Sequence, residues 1–162
     1  MFDQALLAEA EAILALARDK NLRLATAESC TGGLIAALLT EIAGSSNVFE
    51  RGFVTYSNEA KEDLLDVPMD LLHQHGAVSL QVAMAMADGA LKHSLAQISV
   101  AVTGIAGPGG GTAQKPVGLV YIATARLDGE TEAREFRFGD IGRDAVRLET
   151  VKAALTLLRA RI

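Results

Sequence analysis

Aromatic residues are scarce in this chain: five Phe, two Tyr and no Trp make up 4% of its 162 residues. The core has to be built from Ala, Leu, Ile and Val instead. There is a single cysteine, so no internal disulfide can form, and a reducing compartment, the cytoplasm, is the expected location. No run of about eighteen apolar residues occurs, so no membrane-spanning helix is expected. The N-terminus reads Met-Phe-Asp-Gln and soon carries Glu9 and Glu11; it lacks the basic segment and apolar run of a secretory signal. Cations are also in deficit. Fifteen Lys plus Arg stand against twenty Asp plus Glu, a formal net charge of -5. Non-specific nucleic-acid binding needs clustered cations to displace counterions, and an acidic chain supplies few. Any anionic ligand has to be small and held locally. The expected partner is therefore a small molecule, with no nucleic acid and no membrane.

What is present is a balanced globular composition, 50% apolar and 22% charged, sized for one domain over residues 1–162. Residues 3–18 carry Leu6, Ala10, Ile13, Leu14 and Ala17 at helical spacing. A short apolar segment, 22–27, reads as a buried strand, and Leu34–Ile42 as a helix. Val48–Tyr56 contains the β-favouring run Phe53-Val54-Thr55-Tyr56 and reads as a strand. Two short helices follow, 58–65 and 68–75, and Ser79 can cap a third that runs to about Leu91. Ile98–Thr103 is a continuous apolar strand. Segments 117–126 and 131–138 flank Asp128-Gly129, a strong hairpin signal. The last helix starts near Arg143, with Val151, Leu155, Leu158 and Ile162 as its apolar stripe. The order predicts a single-domain α/β sandwich with a mixed sheet, parallel strands in the middle and an antiparallel hairpin to one side. In such sheets ligands bind at the carboxyl ends of the parallel strands.

Four segments could carry chemistry. The first is Ala27-Glu28-Ser29-Cys30-Thr31-Gly32-Gly33, between a strand and a helix. A helix start offers unpaired N–H groups, and Gly32 and Gly33 let a ligand come close, so the site could bind phosphate or an oxyanion. Ser29 would then be the nucleophile; alternatively Ser29 or Thr31 only caps the helix. Cys30 is a competing nucleophile or a small buried residue. The second is Tyr56-Ser57-Asn58-Glu59-Ala60-Lys61. A neutral lysine can serve a serine as base if burial lowers its pKa from about 10.4 towards 7–8; otherwise Lys61 pairs with Glu62 or Asp63 at the surface. The third, Thr103-Gly104-Ile105-Ala106-Gly107-Pro108-Gly109-Gly110-Gly111, is either a shaped backbone surface for a ligand or a loop before the hairpin. It matches neither a P-loop nor a dinucleotide fingerprint. The fourth is Gly139-Asp140-Ile141-Gly142-Arg143-Asp144-Ala145-Val146-Arg147. Here Arg143 either clamps a phosphate or lies with Arg147 on a solvated face. His73-Gln74-His75 lacks a third ligand, so no metal site is expected.

Together these segments resemble the CinA C-terminal-domain family, the nicotinamide mononucleotide deamidases. The likeness also rests on His75-Gly76-Ala77-Val78-Ser79 and Lys115-Pro116-Val117-Gly118, and spans nearly the whole chain in order. Ile141-Gly142 stand between Asp140 and Arg143, where the family pattern has Gly-Asp-Arg contiguous. Full-length CinA proteins carry a further N-terminal domain similar to molybdopterin-binding proteins; this sequence has none, so the resemblance implies the stand-alone deamidase form. It implies hydrolysis of the carboxamide of nicotinamide mononucleotide to nicotinic acid mononucleotide and ammonia, in pyridine nucleotide recycling, with no cofactor and no metal. By position Ser29 matches the nucleophile and Lys61 the base. Tyr56 and Thr103 match supporting residues, and Arg143 a phosphate contact. Thr31, Gly32, Gly33, Gly104 and Gly107 would bind substrate, with oxyanion donors near Thr31-Gly32-Gly33. A homo-oligomer is the expected assembly. Two other functions stay open: a nucleotide-sensing or competence- or damage-related regulatory module without turnover, and a phosphatase using the same cradle.

Overall fold

Alternation along one apolar strand organises the molecule. The computed structural model describes residues 2–162. Five strands form one sheet in the order β2-β1-β3-β4-β5: β1 is Leu24–Glu28, β2 Phe49–Val54, β3 Ile98–Gly104, β4 Leu119–Arg126 and β5 Glu132–Arg137. Successive side chains of a strand point to opposite faces. Ile98, Val100 and Val102 of central β3 therefore face one helical layer, made of α1 (Gln4–Asp19), α2 (Leu34–Glu41) and α6 (Arg143–Arg159). Ser99, Ala101 and Thr103 face the other, made of α3 (Asn58–Leu65), α4 (Met69–His75) and α5 (Leu80–Lys92).

The two faces differ in size. The α1/α2/α6 side is filled by Leu, Ile and Val, while the α5 side of the sheet is lined by Ala25, Ala27, Ala101, Ala123 and Ala125. Small residues there let α5 lie close, and Ser99 Oγ donates to the Ala87 carbonyl of α5 at 2.7 Å. Helix starts follow the sequence: Asp3, Ser57 and Ser79 each accept a backbone N–H in the first turn of α1, α3 and α5.

The chain is an α/β sandwich with a mixed sheet: β1 runs parallel to β2 and β3, and β4 runs antiparallel to β3 and β5. The parallel strands fill one half of the sheet rather than its middle, with β2 as an edge. Two strand boundaries differ from the sequence reading. β1 starts at Leu24, because the Leu22 N–H closes the end of α1 on the Ala17 carbonyl. β2 falls inside the expected segment 48–56 but stops two residues short of its end. Its pairing ends at Glu28 with Val54, so Thr55 and Tyr56 lie beyond the strand, and Tyr56 is 61% exposed. No helix among the described residues is long and apolar enough to cross a membrane.

The approach of α3 to α5 has a checkable consequence. Gly89, buried within α5, leaves no room for a side chain: an added Cβ would overlap the Leu65 carbonyl oxygen of α3. Gly89→Ala should therefore destabilise by about 1–3 kcal/mol through overpacking, although alanine favours a helix by about 1 kcal/mol. Urea unfolding measures this, and a net gain in stability would show that α3 is free to move back.

Candidate active site

The carboxyl ends of β1 and β3 open into a cleft of about 290 Å³. Its lining includes Ser29, Cys30, Tyr56, Lys61, Thr103, Gly104 and Arg143, together with Asn58, Ala77, Val78, Ile105, Ala106, Gly109 and Gly110. Among the described residues no carboxylate lines it.

Ser29 follows β1 directly, and its N–H donates to the Val102 carbonyl of β3 at 3.1 Å. Strand alternation separates it from its neighbour. Glu28 shares the face of Leu24, towards α2, while Ser29 turns towards α3. On that side Lys61 is the largest fully buried side chain, 1% exposed. Its Nζ lies 3.0 Å from Ser29 Oγ, 2.8 Å from the Thr55 carbonyl and 3.5 Å from the Ser57 carbonyl. It forms no ion pair with Glu62 or Asp63. As an ammonium it would be a buried charge without a counter-ion. As a neutral amine it keeps two donors for the two carbonyls and a lone pair for the Ser29 hydroxyl. Burial accordingly lowers its pKa to about 8.

Cys30 is 6% exposed, and burial pushes its thiol up to about 12. That removes it as a thiolate nucleophile at neutral pH. Thr103 Oγ donates to the Ala77 carbonyl at 2.8 Å, which ties the α4–α5 connection to the end of β3. Arg143 stands at the rim. Its Nη1 donates to the Gly107 carbonyl at 2.8 Å and its Nη2 to the Tyr56 hydroxyl at 3.0 Å.

Four expected substrate contacts, Thr31, Gly32, Gly33 and Gly107, do not line the cleft. Thr31 is buried with its hydroxyl on Glu28 Oε2 at 2.6 Å, and the Gly32 N–H turns back to the Ser29 carbonyl at 3.0 Å. The Gly33 and Ile35 N–H groups donate to Glu28 Oε2 at 3.1 and 3.0 Å, and the Ala36 N–H to Oε1 at 2.8 Å. Neither Ser29 nor Thr31 caps α2. Glu28, 0% exposed, does so and takes the Gly33 N–H, while the Ser29 carbonyl takes that of Gly32, two of the donors assigned to an oxyanion. Gly107 is also buried beneath the rim and contributes only its carbonyl to Arg143. The cleft-lining backbone is instead that of Cys30, Gly104–Ala106, Gly109 and Gly110. Arg147 does not lie on a free solvated face: its Nε and Nη2 donate to the Cys30 and Thr31 carbonyls at 3.2 and 3.0 Å.

Two expectations follow from the buried groups. The pKa of Lys61 falls from 10.5 in an unfolded chain to about 8 in the fold. Below pH 8 both states hold the proton and stability is flat. Above it only the unfolded state does, so stability rises with pH. Cys30 has the opposite effect from pH 9 upward, because its folded pKa lies above the ordinary value of 9.0. Between pH 8 and 9 the wild-type protein should gain up to about 1 kcal/mol over Lys61→Met in urea unfolding; parallel curves would contradict a neutral Lys61. Separately, Ellman titration at pH 8 should leave the native thiol unreacted and titrate it fully in denaturant.

The geometry has counterparts. A family model for the CinA C-terminal domain matches residues 7–162. A CinA-like protein from Geobacter sulfurreducens is 53% identical over 93% of this chain and 36% of its own length. A second, from Parasynechococcus marenigrum, is 53% identical over 94% of this chain and 36% of its own. The chain thus spans about a third of the length of these curated relatives. The crystal structure of the competence/damage inducible protein CihA from Agrobacterium tumefaciens superposes with a TM-score of 0.97 at 54% identity, covering 99% of this chain and 97% of that one. A competence damage-inducible protein A from Klebsiella pneumoniae gives 0.91 at 35% identity, with 96% of each chain covered.

Proposed function

The chain belongs to the CinA C-terminal domain family, and on that premise we propose that it is a nicotinamide-nucleotide amidase using a serine–lysine pair. The activity is the one the resemblance implies. The observation that carries it is the 3.0 Å approach of a buried, counter-ion-free Lys61 to Ser29 Oγ. A serine hydroxyl is a weak nucleophile until a base takes its proton, and an amine of pKa about 8 is matched to that work near neutral pH.

Ser29 Oγ attacks the carboxamide carbon of nicotinamide mononucleotide while Lys61 Nζ accepts the hydroxyl proton. The tetrahedral oxyanion is met by cleft backbone rather than by Thr31–Gly33, each good donor being worth about 3–4 kcal/mol. Lys61 then returns the proton to the departing nitrogen, and ammonia leaves. Water attacks the acyl-serine, again with Lys61 as base, and nicotinic acid mononucleotide is released. The phosphate is held at the rim by the Arg143 guanidinium, whose remaining donors face solvent, beside Gly109 and Gly110. A pyridine-nucleotide substrate and a free thiol both fit a cytoplasmic setting.

Ammonia release from nicotinamide mononucleotide tests the proposal. Ser29→Ala and Lys61→Met should each lose activity by about 10³-fold or more. Wild-type kcat/KM should rise with pH through an inflection near 8 and level off above it. Full activity in either variant sinks the pair. Nucleotide binding with no ammonia at high protein concentration replaces the amidase with a sensing module.

A further inference from the structure

The turn that carries Ser29 is gripped from two sides. Glu28 takes its N–H groups and the Thr31 hydroxyl on the α2 side. Arg147, one helical turn beyond Arg143 in α6, takes its carbonyls. A guanidinium presents its donors in a rigid planar fork, so two bonds to successive carbonyls fix the orientation of both peptide planes. These planes, Cys30–Thr31 and Thr31–Gly32, are the ones immediately after the Ser29–Cys30 link. The Ser29 carbonyl is itself engaged by the Gly32 N–H. Gly32, whose φ of +60° suits glycine, lies beside the guanidinium: an added Cβ would stand 3.6 Å from Arg147 Nη2, an ordinary contact. Arg147 does not line the cleft and touches neither Ser29 Oγ nor Lys61 Nζ.

We propose that Arg147 is a positioning residue for the reaction, holding the Cys30 and Thr31 carbonyls so that Ser29 Oγ stays in line with Lys61. This rests on the serine–lysine reading above, but not on the identity of the substrate. A rate that depends on placing two groups within hydrogen-bond reach is steeply sensitive to displacement, by on the order of 10²-fold for about 1 Å. Losing the grip should therefore appear in the covalent step and not in substrate affinity.

The probe is a small fluorophosphonate, which phosphorylates an activated serine with loss of fluoride and carries no nucleotide. With Arg147→Ala, labelling of Ser29 should slow by about tenfold to a hundredfold, and kcat for ammonia release should fall in parallel with KM nearly unchanged. Millimolar guanidinium should restore part of both rates, which a purely structural defect would not allow. Arg147→Lys, a point donor that reaches one carbonyl at a time, should lie between the two. Melting temperatures establish that each variant is folded; if Arg147→Ala is not, Arg147→Lys decides. Wild-type labelling rates in a folded variant overturn the proposal, as does a large rise in KM with kcat held, which would make Arg147 a substrate contact. If the wild type labels at Ser29 but releases no ammonia, the amidase reading fails while the labelling series still tests Arg147.

Discussion

An amine with no counter-ion sets the terms for the rest of this structure. Lys61 lies on the buried face of α3, and two of its three hydrogen-bonding contacts are carbonyl oxygens. A carboxylate in its place would stabilise the ammonium and raise the pKa, making it a poor base at neutral pH. A carboxylate lies only one residue from Ser29, yet Glu28 never meets the lysine. The period of two along β1 sends Glu28 to the α2 face and Ser29 to the α3 face. The sheet thereby keeps a buried acid and a buried amine apart, and each is satisfied by backbone of the opposite polarity. Substituting one residue type at either position would not preserve this; shifting the register by one would exchange the two faces.

The same economy governs the turn itself. Its Gly33 N–H is spent on Glu28, its Gly32 N–H on the Ser29 carbonyl, and its Cys30 and Thr31 carbonyls on Arg147. Rigidity here is obtained from buried charge-assisted hydrogen bonds, which are shorter and stronger than neutral ones. Lys61 is held differently. α3 is only eight residues long and relies on the Ser57 cap and on contact with α5, where alanines and Gly89 permit close approach. A longer helix could stand by its own hydrogen bonds; a helix this short depends on tertiary packing.

Most of the architecture was legible in the sequence because its signals are local. Periodicity marked α1 and α6, the apolar run marked β3, and Asp128-Gly129 marked the turn between β4 and β5. The edge strand β2 lies inside the expected segment 48–56, but its end was not legible. Its residues Phe49–Val54 include Glu50, Arg51 and Gly52, and pairing with β1 rather than propensity decides where it ends. Within the site, Ser29 and Lys61 were legible by resemblance and by the chemistry of a serine that needs a base. The role of Glu28 was not, because its partners lie five, seven and eight residues further on and the glycines drew attention to their own N–H groups. An acid just ahead of a helix start was the available signal. Arg147 was not legible either, since its carbonyl partners lie 117 and 116 residues away in sequence.

Charge closes the argument between composition and site. The chain as a whole is acidic, at -5, but among the described residues no Asp or Glu lines the cleft. Its cationic lining groups are Arg143, at the rim, and Lys61, at the floor, whose pKa burial lowers to about 8. Positive charge at the mouth is therefore permanent, while that beside Ser29 falls as the amine loses its proton above pH 8. A small anion that approaches the acidic surface meets a favourable potential at this opening, where low-dielectric walls focus the field of the Arg143 guanidinium. On the proposed function, the phosphate of the substrate meets Arg143 at this mouth while its carboxamide reaches Ser29 at the floor, so a single fixed charge at the entrance orients the ligand for attack.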